Sequence, residues 1–130
     1  MASFSINGAE VADDLEKLKK KIKSDAEEFV QEVSVDLHRE ITLNTPVETG
    51  EARGSNNLSV NFVDRTRSID KSGFRTILRA NLAAKFWRLG DSLTISNATP
   101  QFTYVDQGTR HISPRHIVQR ALDTIRRKYR

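Results

Sequence analysis

Glu48 and Glu51 stand three residues apart in Thr45-Pro46-Val47-Glu48-Thr49-Gly50-Glu51-Ala52-Arg53-Gly54-Ser55, a spacing that suggests paired carboxylates for general acid–base work. Two solvated acids beside a turn are the commoner outcome of that spacing, and no nucleophile accompanies them. His38, His111 and His116 are the only histidines, and none stands in a His-Glu-x-x-His arrangement. The chain has no cysteine, which excludes thiol catalysis, thiolate metal sites and disulfides. No serine lies in a Gly-x-Ser-x-Gly turn, and no glycine-rich loop is built to cradle phosphate. Trp87 beside Arg88 has the makings of a base-stacking pair, and equally of a core or interface aromatic at a helix end. These residues give no positive support to an enzyme, a cofactor site or a metal site.

The same turn is more informative as architecture. Pro46 cannot continue a helix and pushes Thr45 out of the α region, so a helix arriving from the N-terminal side stops there. Thr49 is an N-cap for a new short helical turn, and Gly50 permits a sharp backbone approach. Arg53 follows one turn later, placed to reach an acidic or carbonyl partner outside the segment.

The elements on either side follow from hydrophobic period. Val11, Leu15, Leu18, Ile22, Ala26, Phe29, Val33, Leu37 and Ile41 recur in steps of three and four, the face of a helix about 30 residues long. Asp13, Asp14 and Glu16 crowd its first turns and suit the helix dipole, and lysines follow from Lys17 to Lys23. So long a stripe exceeds what a small domain buries, which places the later half in the core and offers part of the earlier half to partners. Asn57 to Val63 alternates as a half-buried strand. Leu78 to Trp87 reads as a helix with Gly90 as its C-cap, and Ser92 to Ser96 as a strand with Leu93 and Ile95 inward. Gln101 to Asp106 fits a short helix or a strand, with Gly108 ending it. Ser113-Pro114 reads as N-cap and first residue of a last helix with an apolar face of Ile117, Ala121, Leu122, Ile125 and Tyr129. The expected fold is α+β, a long N-terminal helix and a C-terminal helix packed on a small, mostly antiparallel sheet. It forms one domain over 1–130, with a flexible lead over 1–9 and a mobile loop over 64–75.

With 130 residues, 37% hydrophobic and 29% charged, the chain has room for one modest core. No apolar run approaches the ~20 residues that span a bilayer, and the first eight residues lack the basic start and apolar centre of a signal peptide. The reading is a soluble protein without a membrane partner, not exported by the secretory route. The net charge of +4 is unevenly spread: acids dominate up to Thr45 and bases dominate beyond it. Arg110, Arg115, Arg120, Arg126 and Arg127 fall in a basic C-terminal stretch interrupted by one acid, Asp123. Such a stretch meets either phosphate or an acidic surface on a neighbouring subunit. An acidic front and a basic back also suit head-to-tail packing in a ring.

Two segments together resemble a known family. The first is Thr45 to Ser55. The second runs Gly90-Asp91-Ser92-Leu93-Thr94-Ile95-Ser96-Asn97-Ala98-Thr99-Pro100-Gln101-Phe102-Thr103-Tyr104-Val105-Asp106-Gln107-Gly108-Thr109 and continues to Ser113-Pro114. They are similar to the small neck or tail-completion proteins, some known as minor tail proteins, of long-tailed double-stranded DNA bacteriophages. Pro46, Thr49, Gly50 and Arg53 match that family's turn. Gly90, Asp91, Ile95 and Asn97 match its strand, and Gly108, Thr109 and Pro114 match its last junction. Ala52 stands where the family prefers leucine, Phe102-Thr103 where it prefers Tyr-Ala, and Asp106-Gln107 shifts its usual acidic position.

The resemblance implies a structural virion protein at the head–tail junction or tail end, held in the host cytoplasm before assembly. Its implied partners are copies of itself in a ring, a hexamer, and neighbouring neck and tail proteins. The arginines would face an interface or a lumen, touching passing DNA without sequence preference. The alternatives are a tail-terminator ring protein and, from another class, a small basic DNA-binding module.

Overall fold

The computed structural model describes residues 8–130. Its elements run α1 (Gly8–Asn44), α2 (Glu51–Gly54), β1 (Asn56–Val60), α3 (Phe74–Ala84), β2 (Leu93–Asn97), α4 (Pro100–Gln107) and α5 (Ile117–Lys128). This is the expected α+β class, with a sheet reduced to two antiparallel strands. Of the lead expected over 1–9, residues 1–7 lie outside the described residues, and Gly8 and Ala9 already belong to α1.

No proline interrupts α1 over its 37 residues, and Pro46 then forbids its continuation. At ~1.5 Å per residue the helix is about 55 Å long. Its surroundings change along its length. Every residue from 8 to 25 is exposed, whereas Ser34, His38, Ile41 and Thr42 are buried. The later half packs against α3, β1 and α5. Ile41, Ile117 and Ala121 make one small apolar cluster, joined by Leu37, Ile95, Phe102 and Val105. Leu58, Ala80 and Ala84 make the other, with Val35, Ala83 and Leu93 around it. Small residues at these crossings let the backbones approach closely, so a modest core still packs.

In the sheet, Leu58 faces Ile95 and Asn56 faces Asn97. The alternation of side chains puts these pairs on the helix side and Asn57, Ser59, Thr94 and Ser96 on the other. Residues 62–68 cross that second face. The Asn57 amide donates to the carbonyls of Asp64 (3.1 Å) and Thr66 (2.8 Å), Ser96 Oγ donates to Asp64 O (3.0 Å), and Ser59 Oγ donates to Phe62 O. The segment expected as a mobile loop over 64–75 therefore has a tethered course. Its last two residues, Phe74 and Arg75, open α3.

Boundaries differ from the sequence reading at β1, α3 and α5. β1 ends at Val60 rather than Val63, and Asn61, at φ 67°, leaves the strand. α3 starts at Phe74 and ends at Ala84, so Gly90 is not its C-cap; Gly90 (φ 101°) sits in a turn closed by Asp91 N–H on Arg88 O. Gln101 to Asp106 is helical, within α4, and Gly108 ends it at φ 80°. α5 starts at Ile117 rather than at Pro114, with His116 in the left-handed region at its N-cap. The cap comes from a distance: Asp106 Oδ1 accepts the Val118 N–H at 3.1 Å, while the Asp106 carbonyl accepts the His116 N–H. At the far end of α5, Lys128 Nζ meets Asp36 Oδ2 at 2.6 Å and the Tyr129 hydroxyl donates to the same carboxylate, tying α5 to the later half of α1.

Candidate functional site

Thr45 to Arg53 forms a joint at the C-terminal end of α1. The last carbonyls of a helix lack partners within it and carry partial negative charge, and the last turn of α1 contains no basic residue. Arg53 supplies one from outside. Its guanidinium donates to Leu43 O (3.0 Å), twice to Thr45 O (3.0 and 3.1 Å) and to Lys71 O (3.0 Å). Of the acidic or carbonyl partners expected outside the segment, the structure gives carbonyls, those of Leu43 and Lys71, and adds Thr45 O from within the segment. The fork of the guanidinium suits three divergent carbonyls as a lysine could not.

Thr49 is not the N-cap of α2: Gly50, at φ 86°, holds that position, and Thr49 Oγ1 one residue earlier accepts the Glu51 N–H at 3.2 Å. A side chain at Gly50 would meet Lys71 N and Cγ at 2.8 Å, and one at Gly54 would meet Ser68 O at 2.4 Å. Both glycines therefore let the 64–72 segment pass directly over α2, where Gly50 O accepts the Asp70 N–H.

Asn97 completes this end of the sheet. Its amide donates to Ala52 O (2.7 Å) and Asn56 Oδ1 (3.0 Å). Asn56 in turn donates to Thr45 Oγ1 and Arg53 O, and its carbonyl meets His38 Nε2 at 2.9 Å. A carbonyl only accepts, so Nε2 carries the proton. His38 is fully buried, and burial pushes its pKa below the ordinary value; Arg79 adds to this and the Asn56 carbonyl opposes it. Asp70 anchors the start of α3 by accepting from Ser72 Oγ, Gly73 N–H, Thr76 N–H and Thr76 Oγ1. Burial disfavours its charge, but the Thr76, Ser72 and Gly73 donors outweigh burial and hold the carboxyl below its ordinary value.

Pro46, Thr49, Gly50, Arg53 and Asn97 thus come together. Gly90 and Asp91 lie at the opposite end of the strands, where Asp91 accepts from Arg88 N–H and the Asn61 amide and its carbonyl accepts the buried Trp87 indole. Gly108, Thr109 and Pro114 form a third group between α4 and α5. Thr109 Oγ1 accepts the His111 and Ile112 N–H groups, and Pro114 abuts Gly108. The residues missed in the sequence are the buried polar ones, His38, Asn56, Asn57, Asp70 and Thr76. One signal was available: Ser34, His38 and Thr42 recur at helical spacing along one face of α1, and Thr45 continues the spacing just past its end.

Glu51 pairs loosely with Arg67 at 3.7 Å and Glu48 is exposed, so the two acids border a cleft facing α4. His111 and His116 are exposed. Among the described residues no three His, Asp or Glu side chains gather in a way that could hold a metal ion, and no helix is long and apolar enough to cross a membrane.

Three sets of exposed side chains stand out on the outer surface. On α1, Leu15, Leu18 and Ile22 are 52–60% exposed. On α3, Phe74, Leu78 and Leu82 lie in one row continued by Phe86, which is 76% exposed. Arg110, Arg115, Arg120, Arg126 and Arg127 are all exposed, and among the described residues Arg126 alone of these five has an acidic ion-pair neighbour, Asp123 at 3.8 Å. No protein-family model, curated protein or solved structure matches this chain.

Proposed function

We propose that this chain is a structural virion subunit of a long-tailed double-stranded DNA bacteriophage, a neck or tail-completion protein acting as a ring at the head–tail junction or tail end. The observation that carries the reading is the pairing of a dense internal joint with bare apolar helix faces. Exposed rows such as Phe74, Leu78, Leu82 and Phe86 are far more apolar than a solitary surface requires, and such patches mark association. The two-part motif that resembles the phage family supports the particular class. Its turn residues hold α1 at a set angle to the sheet, a service an assembly subunit needs.

The experiment is to weigh and image the purified chain by mass photometry and negative-stain microscopy, and to place a stop codon in its gene. Rings, and heads and tails that fail to join or complete, are the expected results. A chain that stays monomeric with tail proteins present, and whose loss leaves virions intact, overturns the reading.

The exposed arginines of the C-terminal region support a second reading, a small basic DNA-binding module. That reading requires the monomer to bind duplex DNA with an affinity that falls steeply with salt. On the preferred reading the same arginines meet a neighbour or passing DNA only within the ring.

A further inference from the structure

The exposed half of α1 carries a two-fold symmetry in its sequence. About a midpoint between Glu16 and Lys17, every acid from residue 10 to 16 is mirrored by a lysine: Glu16 by Lys17, Asp14 by Lys19, Asp13 by Lys20 and Glu10 by Lys23. The apolar seam obeys the same mirror, Leu15 with Leu18 and Val11 with Ile22. The seam steps are four, three and four, the spacing of positions that pack between two helices. All these side chains are exposed.

We infer that this segment pairs with the same segment of a second copy, antiparallel, about a two-fold axis passing between Glu16 and Lys17. Reversing one copy sets Leu15 level with Leu18 and Val11 level with Ile22 of the other, so each knob meets an apolar neighbour. It also sets each acidic turn beside a lysine turn, and Asp14 and Lys21, which flank the seam, come within reach across it. A parallel pair would align acids with acids and lysines with lysines, so the charge pattern selects orientation as well as partner. A two-fold contact is self-complementary, as this pattern is. The bare stretch from Gly8 to Asp25 is about 27 Å long at ~1.5 Å per residue, which leaves the two folded bodies at opposite ends without collision. The contact closes on itself, so it neither needs nor consumes the α3 row, and it stands whether or not the virion reading does.

The absence of cysteine makes the test direct. Ala12→Cys and Lys19→Cys lie on the same flank of the seam, and antiparallel pairing brings one close to the other. Mixed single variants are expected to cross-link to each other with a short thiol-reactive linker well ahead of either alone. A second variant converts Lys19, Lys20 and Lys21 to Glu. Its self-association, measured by sedimentation on a chain shown folded by circular dichroism, should weaken by about tenfold or more. The wild-type contact should weaken between about 0.05 and 0.5 M salt. Cross-links of Ala12→Cys to itself ahead of the mixed pair, undiminished association of the Glu variant, or a wild-type monomer at about 100 μM overturns the inference. Larger oligomers that survive the Glu substitutions belong to other surfaces and leave the ring reading standing.

Discussion

From Glu27 to Asn44, α1 is gripped on several sides: Arg88 lies near Glu27, Lys128 and Tyr129 hold Asp36, Asn56 meets His38, and Arg53 closes the end. From Gly8 to Asp25 the same helix, with the same apolar period, is exposed along its whole length. The period alone therefore says that a helix has a face to bury and does not say what buries it. In the gripped half the answer lies within the chain, and much of the grip is polar. In the exposed half no buried position lies along the face, and the proposed second copy would supply what covers it. On the proposed pairing, stability and association occupy different stretches of one helix, so substitutions in the two halves should separate the two properties.

The largest effect is expected at Arg53. Arg53→Ala strands the carbonyls of Leu43, Thr45 and Lys71 and should lower unfolding free energy by about 2–3 kcal/mol in urea titration, with Arg53→Lys recovering less than half. Asp70→Ala removes the anchor of α3 and should cost about 2 kcal/mol in the same assay. Equal stability of either variant and the parent would show that the joint is not where the fold is held.

Acid sharpens the comparison next. His38 is held neutral by burial, with its folded pKa below the ordinary 6.5. Its contribution is complete above that value and declines as pH falls through it, because the unfolded chain takes the proton first. Asp70 follows at lower pH: its contribution is present above 3.8 and is lost as pH falls below it. Thermal melts from pH 8 to 4 should show a decline beginning near 6.5 that His38→Gln removes. The smallest stability effect is expected from Leu18→Glu in the bare half, within about 0.5 kcal/mol. Its effect belongs to association, read by sedimentation. A large loss of stability there would erase the distinction between the halves.

The sequence made the helical scaffold legible because period and punctuation are local. The α1 stripe, its stop at Pro46 and the inward Leu93 and Ile95 all follow from spacing. The start of α5 did not, because Ser113-Pro114 has the form of a helix opening while Pro114 is engaged against Gly108 and the cap arrives from Asp106. Residues 64–72 looked loose because they are charged and aperiodic. They are tethered by side chains of Asn57 and Ser96, whose roles depend on strand register. The candidate joint was half legible: Arg53 and Gly50 stood out by type, whereas Asn56 and Asp70 do their work buried, where polar residues are not sought.

Because α1 is unbroken, its bare half is a lever rigidly continuous with the gripped half. A pull along the helix axis would pass through the Asp36 clamp and end on the Arg53 carbonyl fork, so the joint is where such a force would be resisted. A subunit loaded through that helix would yield first where Arg53 lets go, and forced unfolding of Arg53→Ala should begin at lower tension than that of the parent.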